Sequence, residues 1–206
     1  VDVRLFPGTP GMDHHDSSRA WFDPALHILD LTALSCFSLM LDTVGGREIW
    51  SAGPVQHIDW MDSGAYPTAE LATGLDQLGQ QFLAVYNQVP HETTLAELWQ
   101  APDAAAYVSR HPVQLEAALR LDATLRRDMQ RRGRLEGRVV VWDSTPLEQE
   151  GLSPRSVNPF LLCVLFPSAD YTIRLRRDGH MTIGHNPWGR PTAHIGDLCE
   201  QLVDPV

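Results

Sequence analysis

Four consecutive residues, Asp13-His14-His15-Asp16, set two imidazoles between two carboxylates directly after the turn-forming run PGTPG at 7–11. Imidazole nitrogen and carboxylate oxygen suit Mn²⁺, Fe²⁺ and Zn²⁺, and a neighbouring carboxylate decides which ring nitrogen faces a metal. The same string would also be stable as a solvated polar turn, so its chemistry depends on what else converges on it. Two further carboxylates, Asp59 and Asp62, stand in HIDWMDSGAY at 57–66, beside an apolar flank and before a glycine. Read alone, Asp-Ser-Gly is also turn or helix-cap chemistry. Asp2 lies in VDVRLF, an alternating strand-like run, and α/β enzymes gather ligands at strand ends.

Arg174 and Arg176 alternate in YTIRLRR, which aims both guanidinium groups at one face of a strand, where each can grip phosphate or carboxylate bidentately. The same pair would equally guard an exposed sheet edge. His185, Asn186 and Arg190 make a donor-rich loop around Trp188, whose indole is either a stacking surface for a base or part of a core. Ser17 and Ser18 follow the histidines without an oxyanion-hole glycine pattern, which argues against a serine hydrolase. His27, His57, His91 and His111 have no partners nearby in sequence and read as structural or exposed.

Several elements must position these groups. DLTALSCFSLMLDTV at 30–44 is apolar round most of a helical circumference and is stopped by Gly45-Gly46. Residues 68–86 carry Leu71, Leu75, Leu78, Phe82 and Val85 on one helical stripe. Helical pattern resumes from 92 to 132, and Arg126, Arg127, Arg131, Arg132 and Arg134 cluster at its end, where cations complement the helix dipole. Past Gly133, the runs 138–143, 159–166, 171–177 and 180–185 are β-branched or aromatic and read as strands of one sheet, with a closing helix over 194–202. The expected architecture is α/β: a parallel-sheet N-terminal domain over 1–90, a helical connector over 91–135 and a smaller mixed α+β domain over 136–206.

Composition narrows the chemistry further. The chain has 206 residues, 43% hydrophobic and 20% charged, the profile of a folded globular protein. Its 16 basic residues are all arginine against 26 acidic ones, for a net charge of −10, so the surface repels long duplex nucleic acid. The absence of lysine removes Schiff-base chemistry and the P-loop. Cys36, Cys163 and Cys199 are far apart and form no zinc or disulfide pattern. With no apolar run long enough to span a bilayer and no secretory pattern at the N-terminus, a cytoplasmic location without membrane attachment is expected.

Together, VDVRLFPGTPGMDHHDSS and HIDWMDSGAY resemble the second, third and fourth motifs of the DHH phosphoesterases, which include the RecJ-type exonucleases and the nanoRNA and cyclic-dinucleotide hydrolases. DYTIRLRRDG, GHNPWGR and HIGDLCEQL resemble the DHH-associated C-terminal domain. The family's first motif, of the type His-x-x-x-Asp-x-Asp, and its GGGH segment have no counterpart in the 206 residues, so part of the two-metal site is expected outside this segment. The resemblance implies two Mn²⁺ ions, Asp2 as a bridging ligand, and His14 and Asp62 as terminal ligands, with Asp59 the rival to Asp62. It further implies Asp13 as a ligand or an orienter of His14, His15 as a phosphate contact, and Arg174 or Arg176 on the substrate. The implied activity is hydrolysis of short single-stranded oligonucleotides, dinucleotides or small nucleotide phosphates, and a homodimer is compatible with it. The alternative is a DHH-like scaffold that binds nucleotides or serves assembly without turnover.

Overall fold

The computed structural model describes residues 11–13, 24–25, 27–45, 52–90, 93, 97, 100–101, 103–153 and 156–189. Asp2, His14, His15 and Arg190 lie outside these residues, as do the strand expected at 1–6 and the helix expected at 194–202. The chain combines helices with parallel and antiparallel strand pairs, an α/β fold. β1 (Gly11–Asp13) pairs in parallel with β2 (His27–Leu29), placing Asp13 opposite Leu29. Gly11, the last residue of PGTPG, begins that strand, and Asp13 is its last residue.

α1 (Cys36–Val44) starts six residues later than the apolar pattern predicts. Asp30 diverts the chain first, because its Oδ1 accepts from the Thr32 N–H at 2.9 Å and the Thr32 hydroxyl at 2.7 Å, a local turn that competes with helix. Ser35 then caps the helix, its Oγ accepting from the Ser38 N–H at 3.0 Å. Gly45, at φ 69°, ends it, the left-handed conformation in which glycine carries no Cβ penalty.

α2 (Ala52–Ser63) follows, and the single helix predicted over 68–86 is two: α3 (Ala69–Thr73) and α4 (Leu78–Tyr86). The break falls at Gly74, where a Cβ would stand 2.6 Å from Asp76 Oδ1 and 2.7 Å from the Glu70 carbonyl. Leu41, Val55, Phe82, Val85 and Tyr107 form the core of this helical part. α5 (Ala104–Ser109) is capped by Asp103, and α6 (Pro112–Arg132) opens with proline in its first turn, where no amide donor is missed. Leu115 of α6 packs on that first core, while Leu125 and Met129, further along the helix, enter a second.

The second core lies under a four-stranded sheet of order β3-β4-β5-β6: β3 (Arg134–Glu136), β4 (Val139–Asp143), β5 (Tyr171–Leu175) and β6 (Met181–His185). β4 and β5 are parallel, whereas β3 and β6 are antiparallel to their neighbours. A parallel pair needs a crossover, and here it holds α7 (Thr145–Gln149) and α8 (Leu161–Leu165). The strand predicted at 159–166 is therefore corrected to helix at its centre. A short apolar run does not by itself distinguish a buried strand from a buried helix, and the crossover requires the latter. Leu161 and Leu162 pack with Leu125, Met129, Val140 and Trp142. The buried Trp142 indole donates to Asp128 of α6 at 2.8 Å, and Arg132 donates to the same carboxylate at 2.7 Å. Arg126 is likewise paired with Asp122 at 2.7 Å, so two arginines of the cluster at the end of α6 serve the helix itself. No helix among the described residues is long and apolar enough to cross a membrane.

α2 and α4 meet where Gly79 lies against the His57 imidazole, since a Cβ on Gly79 would come within 2.3 and 2.4 Å of the ring atoms Cγ and Cδ2. His57 is 7% exposed, packed edge-on to Trp60, and its Nδ1 has no hydrogen-bond partner among the described residues. Burial holds its pKa below the ordinary 6.5. Gly79→Ala is expected to destabilise the protein by about 1–3 kcal/mol in urea unfolding, the range for overpacking. The unfolded chain binds a proton at His57 more readily than the folded one, so this residue's contribution is intact above pH 6.5 and declines as pH falls below it. A stability series from about pH 7 to pH 5 should lose part of its slope in His57→Gln; an unchanged slope would remove His57 as a cause.

Candidate functional site

The two acidic candidates of α2, Asp59 and Asp62, occupy opposite environments. Asp59 is buried, and its Oδ1 accepts from the Ser35 hydroxyl at 2.6 Å and from the Ser38 hydroxyl in a short bond. Because Ser35 also caps α1, this carboxylate fixes where α1 begins, and α1 lies against the strand that ends in Asp13. Asp62, three residues on, is exposed in the last turn of α2. Behind it the chain reverses through Gly64 at φ 68°, with the Ala65 N–H bonded to the Trp60 carbonyl at 3.1 Å.

Tyr66 anchors that turn. It is 3% exposed, its hydroxyl donates to the His57 carbonyl at 2.9 Å, and it accepts from Gln80 Nε2 at 2.8 Å. Burial pushes the phenol well above its ordinary pKa, despite the bond from Gln80, so it stays neutral and acts as a strut. The Tyr66 carbonyl accepts from the indole N–H of Trp188 at 3.0 Å, a residue 122 positions away. The Asp-Ser-Gly-Ala-Tyr turn and the loop that follows β6, nominated separately from the sequence, are therefore neighbours.

That second loop is built on Asn186, which is 2% exposed. Its Nδ2 donates to the Ala169 carbonyl at 2.9 Å and its Oδ1 accepts from the Trp188 N–H at 3.0 Å, so Asn186 shapes the loop from within. The half-buried Trp188 ring meets Phe160 at 5.9 Å between centroids and belongs to a third core with Tyr66 and Ala72. His185 is exposed at the end of β6 beside them.

Arg174 and Arg176 differ from one another. The Arg174 guanidinium donates to Glu148 at 2.8 Å and to the Ser144 hydroxyl at 2.9 Å, and lies 5.5 Å over the Trp142 ring. Burial opposes the charge of Glu148, but bonds from Ser144, the Arg177 N–H and Arg174 hold its carboxyl below the ordinary range. A substrate contact by Arg174 would require this pair to open. Arg176 follows β5 and pairs with Asp178 at 2.5 Å on the hairpin turn. Sequence reasoning missed Glu148, Ser35, Ser38 and Tyr66, of which the two serines carried a signal in the capping spacing Ser-x-x-Ser ahead of an apolar helix.

The described residues hold no cluster of three or more His, Cys, Asp or Glu side chains that could bind a metal by themselves. Three of the nominated groups, Asp2, His14 and His15, lie outside those residues. The chemistry of the set still suits Mn²⁺: an exposed carboxylate at Asp62, and Asp13 at the end of a parallel strand with two imidazoles next in sequence.

Asp59 and Asp62 are separable by substitution. Asp59→Ala is expected to cost about 1–3 kcal/mol in thermal or urea unfolding, because two buried hydroxyls lose their acceptor. Asp59→Asn keeps Oδ1 as an acceptor and should retain the fold and Mn²⁺ uptake, whereas loss of all uptake in that variant would make Asp59 the ligand.

No family model matches the sequence, and no curated protein is similar to it at a significant level. Among solved structures, the chain is similar to a pGpG-specific phosphodiesterase, PggH from Vibrio cholerae, with a TM-score of 0.55 at 18% identity, over 92% of this chain and 67% of that one. At that identity, the similarity establishes that the two chains share a fold.

Proposed function

We propose that the chain is a metal-dependent phosphohydrolase of the phosphodiesterase type, acting on dinucleotides, short oligonucleotides or small nucleotide phosphates. The observation that carries this reading is the contact between the Asp62–Tyr66 turn and the His185–Trp188 loop, in a chain sharing the fold of a phosphodiesterase. The motif resemblance points to the same chemistry. Asp2, His14 and Asp62 would supply ligands to a two-Mn²⁺ site that extends beyond these residues, with Asp13 a ligand or the orienter of His14. When bound, such a pair lowers the pKa of a shared water and neutralises charge on the phosphoryl oxygens.

The remaining roles fall to the chain's own side chains. His15 contacts the substrate phosphate, His185 offers a donor from the end of β6, and Arg190, two residues after Trp188 in sequence, offers another. Asn186 holds the loop after β6 in shape through its bonds to Ala169 and Trp188. A net charge of −10 favours a substrate with few phosphates over a long polyanion, since the field repels each added charge.

The test is hydrolysis by the full-length protein, with and without Mn²⁺, of a linear dinucleotide, a short oligoribonucleotide and pyrophosphate side by side. Mn²⁺-dependent release of mononucleotide, reduced at least about 100-fold in kcat/KM by His15→Ala, is the expected result. Binding of nucleotide without turnover of any of the three would replace the enzyme with a binding scaffold.

A further inference from the structure

The turn after α2 is tied back to the helix at Ser63, whose hydroxyl donates to the Asp59 carbonyl at 2.6 Å. Gly64 reverses the chain in the left-handed region, and Ala65 is tied back to Trp60 by one amide bond of 3.1 Å. Tyr66 fixes the far end, held from inside by the His57 carbonyl and Gln80. From outside it is held through its main-chain carbonyl by the Trp188 indole N–H at 3.0 Å. Trp188 is itself rigid, because its N–H is bonded to Asn186 and its ring rests on Phe160.

We infer that Trp188 is a positioning residue through which docking of the C-terminal sheet sets the turn that carries Asp62. The inference deepens the proposed function and rests on it for the assignment of Asp62 as a metal ligand. Its physical basis stands apart from that assignment. Without the indole N–H, the Tyr66 carbonyl loses its donor inside a half-buried aromatic cluster, and the Tyr66 end of the turn loses its link to the C-terminal sheet. The C-terminal sheet then acts on the metal-binding end of the molecule without supplying a ligand, in the way that partners behind a ligand tune affinity.

Trp188→Phe in the full-length protein is the discriminating variant, since it keeps an aromatic ring against Phe160 and removes the donor. Amide hydrogen exchange in a peptide covering 61–67 should accelerate about threefold to tenfold, while β4 exchanges as in the unaltered protein. Mn²⁺ affinity, read by calorimetric titration, should fall about tenfold or more. Phe160→Leu loses ring contact but keeps the indole donor, and should leave exchange at 61–67 close to that of the unaltered protein. Unchanged exchange at 61–67 in Trp188→Phe, an equal rise in β4, or the same acceleration in Phe160→Leu overturns the inference. Failure of the unaltered protein to take up Mn²⁺ overturns the metal reading instead, and the exchange result still decides the coupling.

Discussion

A short helix cannot satisfy its own last carbonyls, and in this protein that constraint organises the junction between the helical part and the sheet. Three carbonyls at the end of α3 are taken up by three side chains from three other places. Leu71 accepts from Gln80 of α4 at 3.0 Å, Ala72 from Asn158 of the crossover at 2.8 Å, and Thr73 from Arg126 of α6 at 2.9 Å. Trp188 does the same for the Tyr66 carbonyl just upstream. Each bond replaces water at a group that would be costly to bury alone, so the helical part is complete only with the connector and the sheet in place. The aromatic cluster of Trp60, Tyr66, Phe160 and Trp188 packs beside these part-buried bonds and adds apolar burial to the junction.

The acidic residues occupy contrasting environments. Asp59, Asp128 and Asp170 are buried, and each has donors beside it: two serine hydroxyls, the Trp142 indole with Arg132, and Arg138. Burying these polar groups without such donors would be costly, so their partners are part of the fold. Asp62, by contrast, is exposed in the last turn of α2. The arginines follow a similar division, with Arg126, Arg132 and Arg174 bonded to acidic neighbours inside their own part of the molecule.

Position in the fold also separates groups that look alike in sequence. Arg174 and Arg176 are two residues apart, yet one is sandwiched between Glu148 and Trp142 while the other pairs with Asp178 on a turn. The difference comes from α7, which brings Ser144 and Glu148 over the end of β5 and leaves the hairpin beyond it uncovered. Likewise Asn186, nominated as a donor toward a ligand, spends its amide on Ala169 and Trp188.

Local chemistry makes much of the fold legible in the amino-acid sequence alone. The β-branched and aromatic runs at 138–143, 171–177 and 180–185 are strand pattern, Gly45 stops α1, and a turn after Asp62 follows from Ser-Gly. Such features depend on neighbours in the chain, and sequence carries them. The helix at 161–165 is not legible in this way, because its apolar run suits either state and the parallel pairing of β4 with β5 decides. The same holds for the different fates of Asp59 and Asp62, for the partner of Arg174, and for the bond from Trp188 to Tyr66. Those outcomes turn on which distant donors and acceptors are brought within about 3 Å, a matter of tertiary packing across as many as 122 residues of chain.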